Sequence, residues 1–109
     1  MILGFIGIGK ISSSVIKGIL NSKIKYKRII LSPRNKKISK YLKNKSKKVE
    51  IAKSNQDVIN RSNWIFLAVT PLVGNKIIKI LKFKKKQIII SFITTITFSQ
   101  LKKYIRAKY

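Results

Sequence analysis

Residues 2–9 read Ile-Leu-Gly-Phe-Ile-Gly-Ile-Gly, a short apolar run that passes directly into glycines at positions 7 and 9. Residues 2–7 read as a buried strand, with Ile2, Leu3, Phe5 and Ile6, because a strand buried on both faces needs no polar alternation. The next segment has the other period. Ile11, Val15 and Ile19 fall on one face with Ile16 and Leu20 beside them, which predicts a helix over residues 10–22 closed by Asn21 and Ser22. Strand, glycine turn and helix in direct succession constrain the fold more than any other feature. Parallel strands need helical crossovers, and this is the first half of one.

The alternation continues. Residues 27–32 form a second strand, which Pro33 breaks, and a lysine-rich helix follows over about 35–44. A short strand, Val49-Glu50-Ile51, comes next. Ser54-Asn55-Gln56-Asp57 has the form of a capping box and opens a helix carrying Val58 and Ile59. Residues 64–69, Trp-Ile-Phe-Leu-Ala-Val, are continuously apolar, as suits a parallel strand covered on both faces, and Pro71 ends them. A helix over 72–82 is expected to present Val73, Ile77, Ile80 and Leu81. A fifth strand spans 88–92, and Thr97-Phe98-Ser99-Gln100 opens a last helix toward Tyr104. Five strands alternating with helices predict an α/β fold, a Rossmann-like doubly wound parallel sheet, with residues 1–109 as one domain. No repeat, low-complexity tract or linker interrupts it.

Composition narrows the chemistry. The chain has no cysteine and no histidine, which excludes disulfides, thiolate metal sites and histidine acid–base catalysis. Its apolar runs are too short to cross a bilayer, and residues 2–8 lack the basic leader of a signal peptide, so a cytoplasmic location with no membrane partner is expected. Lys+Arg is 26 against Asp+Glu 2, a formal net charge of +24. Such a charge suits a polyanion partner. Here it is nearly all lysine, accompanied by abundant Ile and Asn, with only Arg28, Arg34, Arg61 and Arg106 as arginines. That pattern reads as compositional drift, and nucleic acid is the less favoured partner.

The turn Gly7-x-Gly9-x-x-Ser12 carries the chemistry. Gly7 allows the tight turn, Gly9 lets the backbone approach a pyrophosphate, and Ser12 is small enough for close helix–strand packing. The following helix aims free N–H groups and its positive dipole end at the phosphates. The end of the second strand distinguishes the cofactors. NAD sites place an acid there, but the only acids are Glu50 and Asp57, and the residues present are Ser32-Pro33-Arg34-Asn35. A guanidinium fork, a hydroxyl and an amide suit a 2′-phosphate, so NADP is the expected cofactor. Leu67-Ala68-Val69-Thr70-Pro71 ends the fourth strand, where its backbone can line the nicotinamide ribose.

Taken in order, Gly4-Phe5-Ile6-Gly7-x-Gly9-Lys10-Ile11, Ser32-Pro33-Arg34-Asn35, Ser54-Asn55-Gln56 and Phe66-Leu67-Ala68-Val69-x-Pro71 resemble the amino-terminal domain of pyrroline-5-carboxylate reductases. The resemblance implies NADPH binding, with Gly7, Gly9, Lys10 and Ile11 as the phosphate turn and Ser32, Arg34 and Asn35 as the 2′-phosphate pocket. It also implies Asn55 near the adenosine ribose, and Ala68, Val69 and Pro71 near the nicotinamide half. The family reaction is hydride transfer to the ring imine of 1-pyrroline-5-carboxylate, giving proline. Three places depart from the family pattern: Thr70 stands where lysine is common, Ile93-Thr94-Thr95-Ile96 replaces a glycine-containing segment, and Ile105-Arg106-Ala107 matches only the start of a longer motif. In the family a helical carboxyl-terminal dimerisation and substrate domain follows; the resemblance implies that it is absent here and that the chain is truncated before it. The implied partners are an imino-acid substrate and either a separately encoded second half or a homo-oligomer. No side chain presents itself as a proton donor, so no catalytic residue is assigned. A degenerate, non-catalytic nucleotide-binding domain and a basic nucleic-acid module are the alternative readings.

Overall fold

In the computed structural model, which describes residues 1–7, 9–33, 36–69, 76–77 and 79–91, the first strand of the chain lies at the centre of the sheet. The strands are β1 (Ile2–Ile6), β2 (Arg28–Leu31), β3 (Val49–Ile51), β4 (Trp64–Leu67) and β5 (Ile88–Ser91). All pair in parallel, in the order β3-β2-β1-β4-β5. Helices α1 (Lys10–Leu20), α2 (Lys36–Lys45) and α3 (Asn55–Arg61) make the crossovers between the first four strands. The doubly wound parallel sheet expected from the alternation is therefore the fold.

Alternation along each strand divides the core into two layers. Leu3, Phe5, Ile29, Leu31, Val49 and Phe66 face α1 and α2, which contribute Ile16, Ile19 and Leu42. Ile6, Ile30, Ile65, Leu67 and Ile89 face the other way, toward Val58 and Ile59 of α3. Register places Phe5 of β1 opposite Phe66 of β4. Their rings stack with centroids 4.4 Å apart and 5° between planes, a cross-strand aromatic pair at the middle of the sheet.

The helix ends follow from their residues. Ser54 caps α3: its Oγ accepts from the Asp57 N–H at 3.1 Å, and Asp57 Oδ2 in return accepts from the Lys53 N–H at 3.0 Å. The reciprocal arm of the capping box thus lands on the N–H one residue before the N-cap. Buried Gln87 closes the other end, its Nε2 donating to the carbonyls of Ile59 and Ser62 at 2.5 and 2.9 Å. The Ile59 carbonyl also accepts from the Ser62 N–H at 3.3 Å, so Gln87 reinforces a helix end whose last carbonyls would otherwise be poorly satisfied.

β2 and α2 shift by a residue at each end from expectation, and three larger differences stand out. Helix α1 stops at Leu20 rather than residue 22, and the Ser22 hydroxyl donates back to the Ile19 carbonyl at 2.7 Å. The sheet releases the chain after Leu67, two residues early, although the Ala68 N–H still donates to the Ile6 carbonyl at 2.9 Å. Of the helix expected over 72–82, residues 76–77 and 79–80 are helical, and Ile77 and Leu81 pack on the α3 layer. Ile80 is 75% exposed instead of buried, since one residue of helix turns it about 100° from Leu81. Val73 and the helix expected from Thr97 lie outside the described residues.

Candidate functional site

Strand order reverses direction between β1 and β4: from β1 the chain steps outward to β2 and β3, then returns to β4 and β5 on the other side. Open α/β sheets bind ligands at such a point, outside the carboxyl ends of the strands. The glycine turn leaves β1 there.

Gly7 has φ +87°, a backbone state that side chains resist. Space excludes a side chain as well. A Cβ on Gly7 would stand 2.5 Å from both the Ala68 carbonyl oxygen and Val69 Cγ1. The turn is thus pressed against the segment after β4, and the structure brings together two pieces that the sequence separates by sixty residues.

Two serines hold it. Ser32 is buried at the end of β2, and its Oγ accepts from the Gly7 N–H at 3.1 Å. Ser12 is buried on the first turns of α1, and its hydroxyl donates to the Gly7 carbonyl at 2.6 Å. Both polar groups of the Gly7 backbone therefore have serine partners. Packing alone is the role expected of Ser12, and its hydroxyl bond to Gly7 goes beyond it. The available signal was a hydroxyl at a position where glycine or alanine would satisfy packing.

Gly9 is the opposite case. A Cβ there would meet nothing within 4 Å. It is the N-cap of α1, and among the described residues no side-chain cap bond reaches that end and no acid sits in its first turn. The contrast with α3, sealed by Ser54 and carrying Asp57, is chemical: one helix start is closed, and the other leaves peptide N–H groups and a positive dipole end for an anion. This is the space a phosphate group of a dinucleotide would fill, so the residues present fit such a cofactor.

The other expected site residues distribute as follows. Lys10 and Ile11 open α1, where only their backbone is described. Asn55 is the first residue of α3, half-buried, near the end of β3. Ala68 and Val69 are half-buried beside Gly7. Arg34, Asn35 and Pro71 lie outside the described residues. A groove of about 480 Å³ continues from Pro33 along α2 past Lys36, Lys40 and Lys43. Among the described residues no cluster of His, Cys, Asp or Glu could hold a metal ion, and no helix is long and apolar enough to cross a membrane.

Known proteins share this arrangement. A family model described as NADP oxidoreductase, coenzyme F420-dependent, matches residues 2–95. The chain is similar to pyrroline-5-carboxylate reductase 3 of Danio rerio, at 33% identity over 109 residues and 96% of its length. It also resembles the crystal structure of 1-pyrroline-5-carboxylate reductase from Streptococcus pyogenes, with a TM-score of 0.76 and 30% identity over 96% of the chain. The chain spans 37% and 38% of the lengths of those two proteins. It therefore belongs to the family of NADP oxidoreductases described as coenzyme F420-dependent, and its likeness within that family is to pyrroline-5-carboxylate reductases.

Proposed function

We propose that residues 1–109 form the NADPH-binding domain of a pyrroline-5-carboxylate reductase, which reduces the ring imine of 1-pyrroline-5-carboxylate to proline. The observation that carries the reading is the open, uncapped start of α1 at Gly9, set at the point where strand order reverses. Bound NADPH would supply the hydride. The chain's own residues bind and orient. Gly7 shapes the phosphate turn, and Gly9 with the backbone of Lys10 and Ile11 takes the pyrophosphate; Ala68, Val69 and Pro71 line the nicotinamide half; and Asn55 stands toward the adenosine ribose.

The preference for NADPH over NADH is assigned to Ser32, Arg34 and Asn35. Glu50 and Asp57, the only acids, are engaged with arginines on the α3 side and with the α3 cap, so neither takes the ribose hydroxyls of NAD. Ser32 accepts from Gly7, and a hydroxyl has a hydrogen to donate besides. An imino acid is the proposed substrate, and a second copy or a helical partner domain is proposed to complete its site. Titration of the 109-residue chain with both cofactors tests the reading. NADPH should bind more tightly, and Arg34→Ala should weaken NADPH by about 1.5–3 kcal/mol, a charged hydrogen bond's worth, while leaving NADH unchanged. Equal dissociation constants for the two cofactors would remove the 2′-phosphate assignment.

A further inference from the structure

The two faces of the sheet differ in charge. Both carboxylate side chains lie on the α3 side. Glu50 pairs with Arg61 of α3 and, at 3.5 Å, with Arg28, and Asp57 pairs with Arg61 at 3.6 Å. The α1–α2 layer has no acid, because the chain has no other. Lys17, Lys43, Lys45, Lys47 and Lys48 stand exposed on its helices and on the turn before β3. Two tyrosines are interleaved with them. Tyr41 is 47% exposed, with the Nζ of Lys17 and Lys45 5.1 and 4.9 Å from its ring centroid, and Lys48 Nζ lies 5.0 Å from that of Tyr26. A hydrogen bond with Lys45 and the charges of Lys17 and Lys45 hold the Tyr41 phenol below the ordinary tyrosine range.

A furrow runs among these residues. One cavity of about 270 Å³ is lined by Lys17, Leu20, Asn21, Tyr26, Lys45 and Ser46. It shares Lys45 and Ser46 with a second, of about 510 Å³, that continues over Lys43, Asn44 and Lys47. The furrow lies where strands begin, beside the residues leading into β2 and β3. The glycine turn lies where strands end, so the two regions occupy opposite ends of the sheet.

We propose that this furrow binds single-stranded nucleic acid, separately from the dinucleotide turn. Tyr26 and Leu20 in the furrow, and exposed Tyr41 beside its rim lysines Lys17 and Lys45, give bases stacking surfaces, and the lysine rim follows the phosphates. A base that stacks on Tyr41 displaces an ammonium, which then pairs with the adjoining phosphate. A furrow between two helix ends offers no protruding helix or ribbon for a duplex major groove, so the ligand is a single strand. Composition alone reads the charge as drift; the fold gathers part of it around exposed Tyr41 and half-buried Tyr26.

The test is fluorescence anisotropy of a labelled oligouridylate on the full chain. Affinity should fall with salt at a log–log slope of about −3, as for four contacted phosphates on a single strand. Lys17→Gln with Lys45→Gln and Lys48→Gln should abolish most binding at 0.15 M salt. The equal-charge control Lys82→Gln with Lys85→Gln and Lys86→Gln, on the α3 side, should bind nearly as the parent does. Tyr41→Ala should cost about tenfold and Tyr41→Phe little, and saturating NADPH should displace nothing. Equal losses in the two triple variants, displacement by NADPH, or absence of binding at low salt would each overturn the proposal. So would the triple and Tyr41 variants losing affinity for phosphatidylserine vesicles while keeping it for the oligonucleotide. Failure of the cofactor reading would leave these measurements unaffected.

Discussion

Gly7 and Gly9 stand two residues apart and do different work. Gly7 is required by the protein: its φ is positive and its Cβ would run into Ala68 and Val69. Gly9 has open space around it, so its missing side chain serves whatever approaches from outside. Alanine should separate the two roles. Gly7→Ala is expected to lower unfolding stability by roughly 1–3 kcal/mol, the cost of a strained backbone residue, and to weaken NADPH with it. Gly9→Ala should lower the melting temperature by only a few degrees, the cost of alanine at an N-cap, roughly 0.5–1 kcal/mol, yet weaken NADPH at least tenfold. Thermal melts and cofactor titrations on the same samples check both. A Gly9→Ala chain that binds like the parent would show that no phosphate comes close there. The motif pattern identifies both glycines as important, but only the surroundings assign one to the fold and the other to the ligand.

Among the elements, the crossover helices were the most legible, because Ile11, Val15 and Ile19 repeat at helical spacing and Ser54 marks a start without ambiguity. The strand ends were less so. Ala68 and Val69 are as apolar as β4 itself, yet they leave the ladder because the glycine turn presses on them from a distant part of the chain. Apolar runs do not record where a neighbour intrudes. Ser32 has the same lesson: its place in the sequence suggests a ligand contact, and its hydroxyl oxygen is turned inward onto Gly7. Within α1, Gly18 sits on the exposed side, and a Cβ there would meet nothing within 4 Å. Glycine in a helix interior is unfavourable by about 0.5–1 kcal/mol relative to alanine. Gly18→Ala should therefore raise stability by that amount in denaturant titration, with cofactor affinity unchanged.

For the whole molecule, a net charge of +24 on 109 residues works against compaction. The two carboxylates are gathered with Arg28 and Arg61 at one side of the sheet, so they relieve little of the repulsion elsewhere. Salt should stabilise the chain. Each kcal/mol of screened repulsion raises the melting temperature of a domain this size by about 4–8 °C, so calorimetry between 0.02 and 0.5 M salt should show a rise of about that order. A falling melting temperature would mean that the arginine–carboxylate cluster outweighs the lysines. Net charge was plain in the composition, but its division between the layers was not, since it depends on which way Glu50 turns out of β3. The topology has one more consequence, for the order of assembly. β1 is synthesised first and sits in the middle, hydrogen-bonded to β2 on one side and to β4 on the other. Until residues 64–67 have left the ribosome, one full edge of its apolar backbone has no partner. A nascent chain paused in that interval would expose an unpaired strand edge to other chains. The cationic surface that burdens the finished domain would then be what keeps its unfinished copies apart.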